Sequence, residues 1–240
     1  MRFYKFFISI FLIFTVCFYI TTPVFSEETT YVWSPNNNSL NDSTNDNSSQ
    51  IKETNSEVNE SNSLSLESGN AILIEQTTGQ VLYSHNAHEQ LRPASVTKVM
   101  SILLIMEAID NGTLSLDDKV SCSEEASKMG GSQIWLDTTE TLTVNEMLKA
   151  ICVNSANDCV VAMSEFIAGS EEAFVQLMND KAKELGMNDT CFKNCHGLDE
   201  DGHVTSAYDI SLMSRELLVN HPTITNYTTI WTDTLRNRKI

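Results

Sequence analysis

The stretch "RPASVTKVMSILLIMEAIDNG", residues 92–112, constrains the fold more than any other part of the chain. Val99, Ile102, Leu103, Met106 and Ile109 recur at helical spacing, and Leu104 and Ile105 fill the opposite side. A helix that is apolar nearly all round has no face to give to water, so it must be central, with other elements packed about it. Pro93 stands just ahead of this helix and Asn111-Gly112 ends it.

Before it, "NAILIEQTTGQVLYSHN" reads as two short strands, about 71–76 and 80–84, joined by a Thr-Gly turn. After it comes a loop-rich segment containing "GGSQIW". The next helix opens at Thr143 with Glu146 three residues on, a capping-box pattern, and runs through Met147, Leu148, Ile151 and Cys152 to "VNSANDC". Further helices are predicted over about 157–168, over 171–185 with a stop at Gly186, and over 206–219 with Ser206 and Asp209 at its start. Beyond Asn220 the signal fades into "TNYTTIWTDTLRNRKI". Strands first and a helical block afterwards predict an α+β domain with one helical layer or lobe.

The N-terminal part differs in kind. "MRFYKFFISIFLIFTVCFYITTPVFSEE" carries Arg2 and Lys5, an apolar run from Phe6 to about Ile20, and permissive residues at Val24 and Ser26. That order predicts a secretory signal peptide over 1–26, and a secreted product that meets the membrane only in transit. An uncleaved anchor is the competing reading, because the apolar run approaches the roughly 20 residues a span needs. Cys17 lacks the small preceding residues of a lipoprotein site. Residues 27–68, dominated by Asn, Ser, Thr and Glu, cannot bury enough apolar surface to offset chain entropy and are expected to be a disordered tether. Residues 69–240 then form one globular portion without internal repeats.

The formal net charge is −17, and it becomes more negative once Arg2 and Lys5 are removed. Nucleic acid and other polyanions are therefore poor partners, and the acidic surface favours solubility. Cys122, Cys152, Cys159, Cys191 and Cys195 remain after signal cleavage, an odd number lying largely on apolar faces. Buried free thiols are expected rather than a disulfide framework, although Cys191 with Cys195 could form one bridge.

Two patterns could carry chemistry. Ser95 and Lys98 stand three apart at the start of the central helix, which puts both on one face. A serine hydroxyl needs a base to become a nucleophile, and a lysine becomes one when desolvation lowers its pKa. The spacing alone is cheap, since Ser49 and Lys52 repeat it within the tether. Ser155 and Asn157 form the second pattern, placed in a short connection between two helices, where they present a hydroxyl and an amide to a cleft or simply cap the next helix. S-x-N also recurs at Ser34, Ser39 and Ser43. The five histidines, His85, His88, His196, His203 and His221, show no H-E-x-x-H or other ligand spacing, so they are read as structural or solvent-facing rather than as metal ligands.

Taken together the patterns are specific. "RPASVTKVMSILLIMEAI", "GGSQIWL", "MLKAICVNSANDCVVAM", "AFVQLMNDKAKELGM" and "HGLDEDGHVTSAYDISLMSREL" resemble the bacterial serine-type D-alanyl-D-alanine carboxypeptidases, the low-molecular-mass penicillin-binding proteins. The resemblance covers 69–240 and keeps the family's motif order. It implies a β-lactamase/DD-peptidase-like fold, an antiparallel sheet with a helical lobe. It also implies a peptidoglycan stem peptide ending in D-Ala-D-Ala as substrate, β-lactams as covalent inhibitors, and no cofactor or metal. Ser95 would be the nucleophile, Lys98 the general base, Ser155 a proton relay and Asn157 a substrate-positioning residue.

The sequence departs from the family in one respect that matters. No K-T-G or K-S-G triplet occurs in the 240 residues. In the family that strand lies after the region matching "VTSAYD" and supplies a lysine and an oxyanion N–H. The expectation is a fragment or frameshifted gene lacking its C-terminal strands, poorly stable and aggregation-prone. A natural inactive short product and completion by another chain are the other two explanations. Cys159 and Cys195 stand where the family often has Ala and Pro, and "DTTE" lacks the glycine usual before its Glu. A class A β-lactamase would need an E-x-x-L-N segment after Ser155, which is absent. A noncatalytic module that binds cell wall or β-lactam is the alternative from a different class.

Overall fold

The computed structural model describes residues 66–236 and 238–240. The expected signal peptide and nearly all of the expected tether lie outside them. Strands β1 (Ala71–Ile74) and β2 (Val81–His85) form an antiparallel hairpin, with a register shift between Leu73 and Ile74 that makes β1 shorter than expected. Its turn is clasped from outside, where the Arg215 guanidinium donates to the carbonyls of Gln76 and Thr77. A 3₁₀ turn (Ala94–Thr97) leads into α1 (Lys98–Asp110), the expected central helix. Nine of its residues are buried, including Met100, Leu103, Ile105 and Met106.

The segment expected to be a loop contains two three-residue strands, β3 (Lys119–Ser121) and β4 (Thr141–Thr143), with α2 (Glu124–Ser127) between them. They pair antiparallel and bury Val120 and Leu142 against the helices. The helical lobe continues with α3 (Val144–Asn154), α4 (Asn157–Ala168), α5 (Glu171–Glu184) and α6 (Ala207–Asn220). Thr143 and Glu146 make the expected capping box, and the Ser206 hydroxyl accepts the Asp209 N–H. α1 packs against α4, α5 and α6, and α6 carries β1 on another side, so the fold is α+β with small antiparallel sheets and a helical lobe.

The faded C-terminal signal hides a 3₁₀ turn (Pro222–Ile224), α7 (Thr225–Thr228) and a hairpin of β5 (Thr234–Leu235) with β6 (Arg238–Lys239). α7 docks on α3, where the Tyr227 hydroxyl donates to Asn145 Oδ1 at 2.8 Å. Cys122, Cys152, Cys159, Cys191 and Cys195 are free thiols. Cys191 pairs through its backbone with Val204, and the Cys191–Cys195 bridge is not formed. Among the described residues no helix is long and apolar enough to cross a membrane.

Candidate active site

Ser95 sits in the 3₁₀ turn, not in the first α-helical turn that its position suggested. Ala94 enters the turn at φ +47°, a left-handed conformation that costs a residue with a Cβ about 1–3 kcal/mol. In 3₁₀ geometry side chains at i and i+3 eclipse, which brings Lys98 directly to Ser95. Lys98 Nζ donates to Ser95 Oγ at 3.2 Å and to the His196 carbonyl at 2.7 Å. Ser95 itself is exposed, whereas Lys98 is only 3% exposed. Burial pushes the lysine down from 10.5 to about 8, against a smaller opposing effect of the Cys195 thiol.

Residues 190–205 hold this turn from beneath. Leu91 and Thr205 exchange backbone hydrogen bonds at 2.8 and 2.9 Å. The Ser101 hydroxyl donates to the Cys195 carbonyl at 2.7 Å. Lys193 N–H donates to His203 Nδ1 at 2.9 Å, so Nε2 carries the ring proton and donates to Thr97 Oγ1 at 2.8 Å. Gly197, at φ +94°, lies so close to the Ala94–Ser95 peptide that a Cβ there would meet the Ala94 oxygen at 1.9 Å. His196, His203 and His221 are all buried and hydrogen-bonded. Among the described residues no cluster of His, Cys, Asp and Glu could hold a metal ion.

Neither side chain of the second pattern caps the helix that follows. Ser155 is the C-cap of α3 in the left-handed conformation, φ +55°, and Ala156, not a polar side chain, is the N-cap of α4. Asn157 is 3% exposed, so its backbone and amide need partners inside. Its N–H donates to the Ser132 carbonyl and its Nδ2 to the Gly130 carbonyl, both at 2.7 Å. Its Oδ1 is buried without a partner. The Ser155 hydroxyl makes no hydrogen bond to the described residues, and none joins it to Ser95 or Lys98.

Asp158 is a residue the sequence reading passed over. Fully buried, it accepts N–H bonds from Ile134 at 3.1 Å, Leu136 at 2.9 Å and Cys159 at 2.9 Å, which pins the loop that carries Gly130 to Leu136. A carboxylate beside the S-x-N pattern and opposite a glycine-rich loop was the signal available. Arg236 closes the loop from outside through Glu140 at 2.6 and 2.7 Å and through the Ile134 carbonyl. Gly131, at φ +74°, leaves no room for a side chain, since a Cβ there would lie 2.8 Å from Asn157 Nδ2 and 3.5 Å from Leu198, the neighbour of Gly197. The structure thus puts Ser95 and Lys98 in contact.

An exposed hydroxyl touching a buried, easily deprotonated amine is chemically suited to accepting an acyl group, and it stands here on an α+β scaffold of the DD-peptidase kind. The chain belongs to the D-alanyl-D-alanine carboxypeptidase family, peptidase S11, which its residues 54–240 match. It is 55% identical over 173 residues to D-alanyl-D-alanine carboxypeptidase DacF of Bacillus subtilis, covering 72% of this chain and 44% of that one. Among solved structures it resembles penicillin binding protein 6B from Escherichia coli, with TM-score 0.69 and 32% identity over 72% of this chain and 56% of that one. It also resembles penicillin-binding protein D2 from Listeria monocytogenes in its ampicillin-bound form, with TM-score 0.65 and 30% identity over 74% of this chain and 73% of that one. The chain spans less than half the length of the curated relatives it matches.

Proposed function

We propose that this protein is a secreted serine-type D-Ala-D-Ala carboxypeptidase that shortens peptidoglycan stem peptides through an acyl-enzyme on Ser95, and that β-lactams acylate the same serine. The observation that carries the reading is the 3.2 Å contact between Lys98 Nζ and Ser95 Oγ, with the lysine held near 8 by burial. The neutral amine takes the Ser95 proton as Oγ attacks the carbonyl carbon of the penultimate D-alanine. Collapse of the tetrahedral adduct breaks the C–N bond, and the departing D-alanine amine takes a proton delivered from Lys98 through Ser155. Water then attacks the ester, gives one proton to the base, and Ser95 leaves with a proton restored.

The Ser95 N–H would provide one oxyanion donor, a kind of interaction worth about 3–4 kcal/mol. Asn157, anchored through its own Nδ2, would help to position the substrate. The test is the intact mass of the full chain after incubation with ampicillin, beside Ser95→Ala. A drug-sized mass increase lost in the variant supports the proposal. No increase on a chain that melts cooperatively rejects acylation and leaves a noncatalytic binding module.

A further inference from the structure

We infer that Glu171, the first residue of α5, is a positioning residue for Lys98, acting through the Cys195–His196 dipeptide. The inference rests on the proposed role of Lys98 as base. Glu171 Oε1 accepts the Cys195 N–H at 2.9 Å and lies 3.5 Å from His196 Nε2. The Leu198 N–H donates to His196 Nδ1 at 3.1 Å, so the ring proton is on Nε2 and faces the Glu171 carboxylate. That oxygen therefore fixes the backbone of the dipeptide and faces its ring.

The opposite edge of that dipeptide is what α1 grips. Its two carbonyls accept, at 2.7 Å each, the Ser101 hydroxyl from Cys195 and the Lys98 ammonium from His196. Among the described residues Lys98 Nζ has two acceptors, the His196 carbonyl and Ser95 itself. The direction in which Nζ points is thus set by where that carbonyl stands, and the carbonyl stands where Glu171 holds it. A cleft of about 400 Å³ lined by Glu171, Glu172, Lys193, Asn194, His196 and Glu200 borders the outer side of the dipeptide, so no packed side chain replaces the carboxylate if it is removed. Asn194 braces only the following residues, accepting the Gly197 N–H and donating to the Leu198 carbonyl.

The test is the titration of Lys98 in the full chain labelled with ¹³C-lysine, with Lys98→Arg to assign its resonance. In Glu171→Ala the midpoint is expected to move by about one unit, a tenfold change in the neutral fraction. In Glu171→Gln, whose amide oxygen still accepts the Cys195 N–H, it stays in place. Ampicillin acylation slows about tenfold in the alanine variant and recovers in the glutamine variant, the loss expected of a misplaced base. An unchanged midpoint in a folded Glu171→Ala protein overturns the inference. So does an equal displacement in both variants, which would make charge and not placement the agent. Should Glu171→Ala fail to fold, Glu171→Asp, one methylene too short to reach Cys195 from the same helix turn, is judged by the same readout. A wild-type chain that takes up no ampicillin sinks the proposed function alone, because the titration still decides Glu171.

Discussion

Gly197 and Ala94 share a space that admits no side chain between them. A Cβ on Gly197 would come within 1.9 Å of the Ala94 oxygen and 3.0 Å of the Ser95 nitrogen, and the backbone at Gly197 is already left-handed. Both neighbours belong to main chain, which cannot rotate away. Gly197→Ala is expected to cost about 2–5 kcal/mol, combining backbone strain with overpacking, and to displace the turn that carries Ser95. Urea unfolding measures the first effect and the rate of ampicillin uptake the second. A variant that unfolds at the wild-type urea midpoint would show that the turn yields instead.

Ampicillin acylation should follow the neutral form of Lys98. With burial holding the lysine at about 8, the reactive form grows as pH rises towards that value and saturates above it. Initial rates are therefore expected to rise about tenfold between pH 6 and 7 and to level off above about pH 8. Lys98→Arg, which keeps the charge and cannot lose its proton, should be silent throughout. A rate independent of pH from 6 to 9 would remove Lys98 from the role of base.

Acid should loosen the same region by a separate route. Burial holds His203 below its ordinary 6.5, only partly offset by Glu200 and Asp199, so the folded chain resists a proton that the unfolded chain accepts. The stability associated with neutral His203 is present above pH 6.5 and falls as pH drops through that value towards the lower folded one. The slope cannot exceed about 1.4 kcal/mol per pH unit for one proton. Melting curves between pH 7 and 5 are expected to show this loss, and His203→Gln to reduce it. His196, also held down by burial, retains its own share. Identical pH dependence in the variant would contradict the assignment.

Asp158→Asn tests the loop beside Asn157. The carboxylate uses both oxygens as acceptors for three N–H groups, and an amide turned either way sets a donor against one of them. The expected cost is about 1–3 kcal/mol. Hydrogen exchange at Ile134 and Leu136 should accelerate while α1 keeps its protection. Equal exchange in both proteins would mean that Arg236 alone suffices to hold the loop.

The helices and their caps were legible because each carries its own signal within a few residues. Thr143 with Glu146, Ser206 with Asp209, and the apolar wrap of α1 all reappear in the structure. β3, β4 and the β5–β6 hairpin were not, since strands of two or three residues are too short to show an alternating pattern. The site was half visible. The spacing of Ser95 and Lys98 was plain, yet Ser49 and Lys52 have it too, and only the burial of Lys98 gives it a chemical meaning. The left-handed Ala94 and Ser155 and the glycine contact at Gly197 depend on distant chain, which no local pattern encodes.

The grip on α1 also has a consequence in time. Thr97 waits for His203, Lys98 for His196, and Ser101 for Cys195, separations of 106, 98 and 94 residues. At synthesis rates of about 5–20 residues per second, roughly 5–20 s pass between the emergence of each partner and its mate. During that interval the first motif exists as chemistry without an address. Its apolar helix is bare, and its lysine is wet and fully charged. Under the proposed function, Ser95 would therefore gain its reactivity last although it is translated early, and a β-lactam would not label the nascent chain.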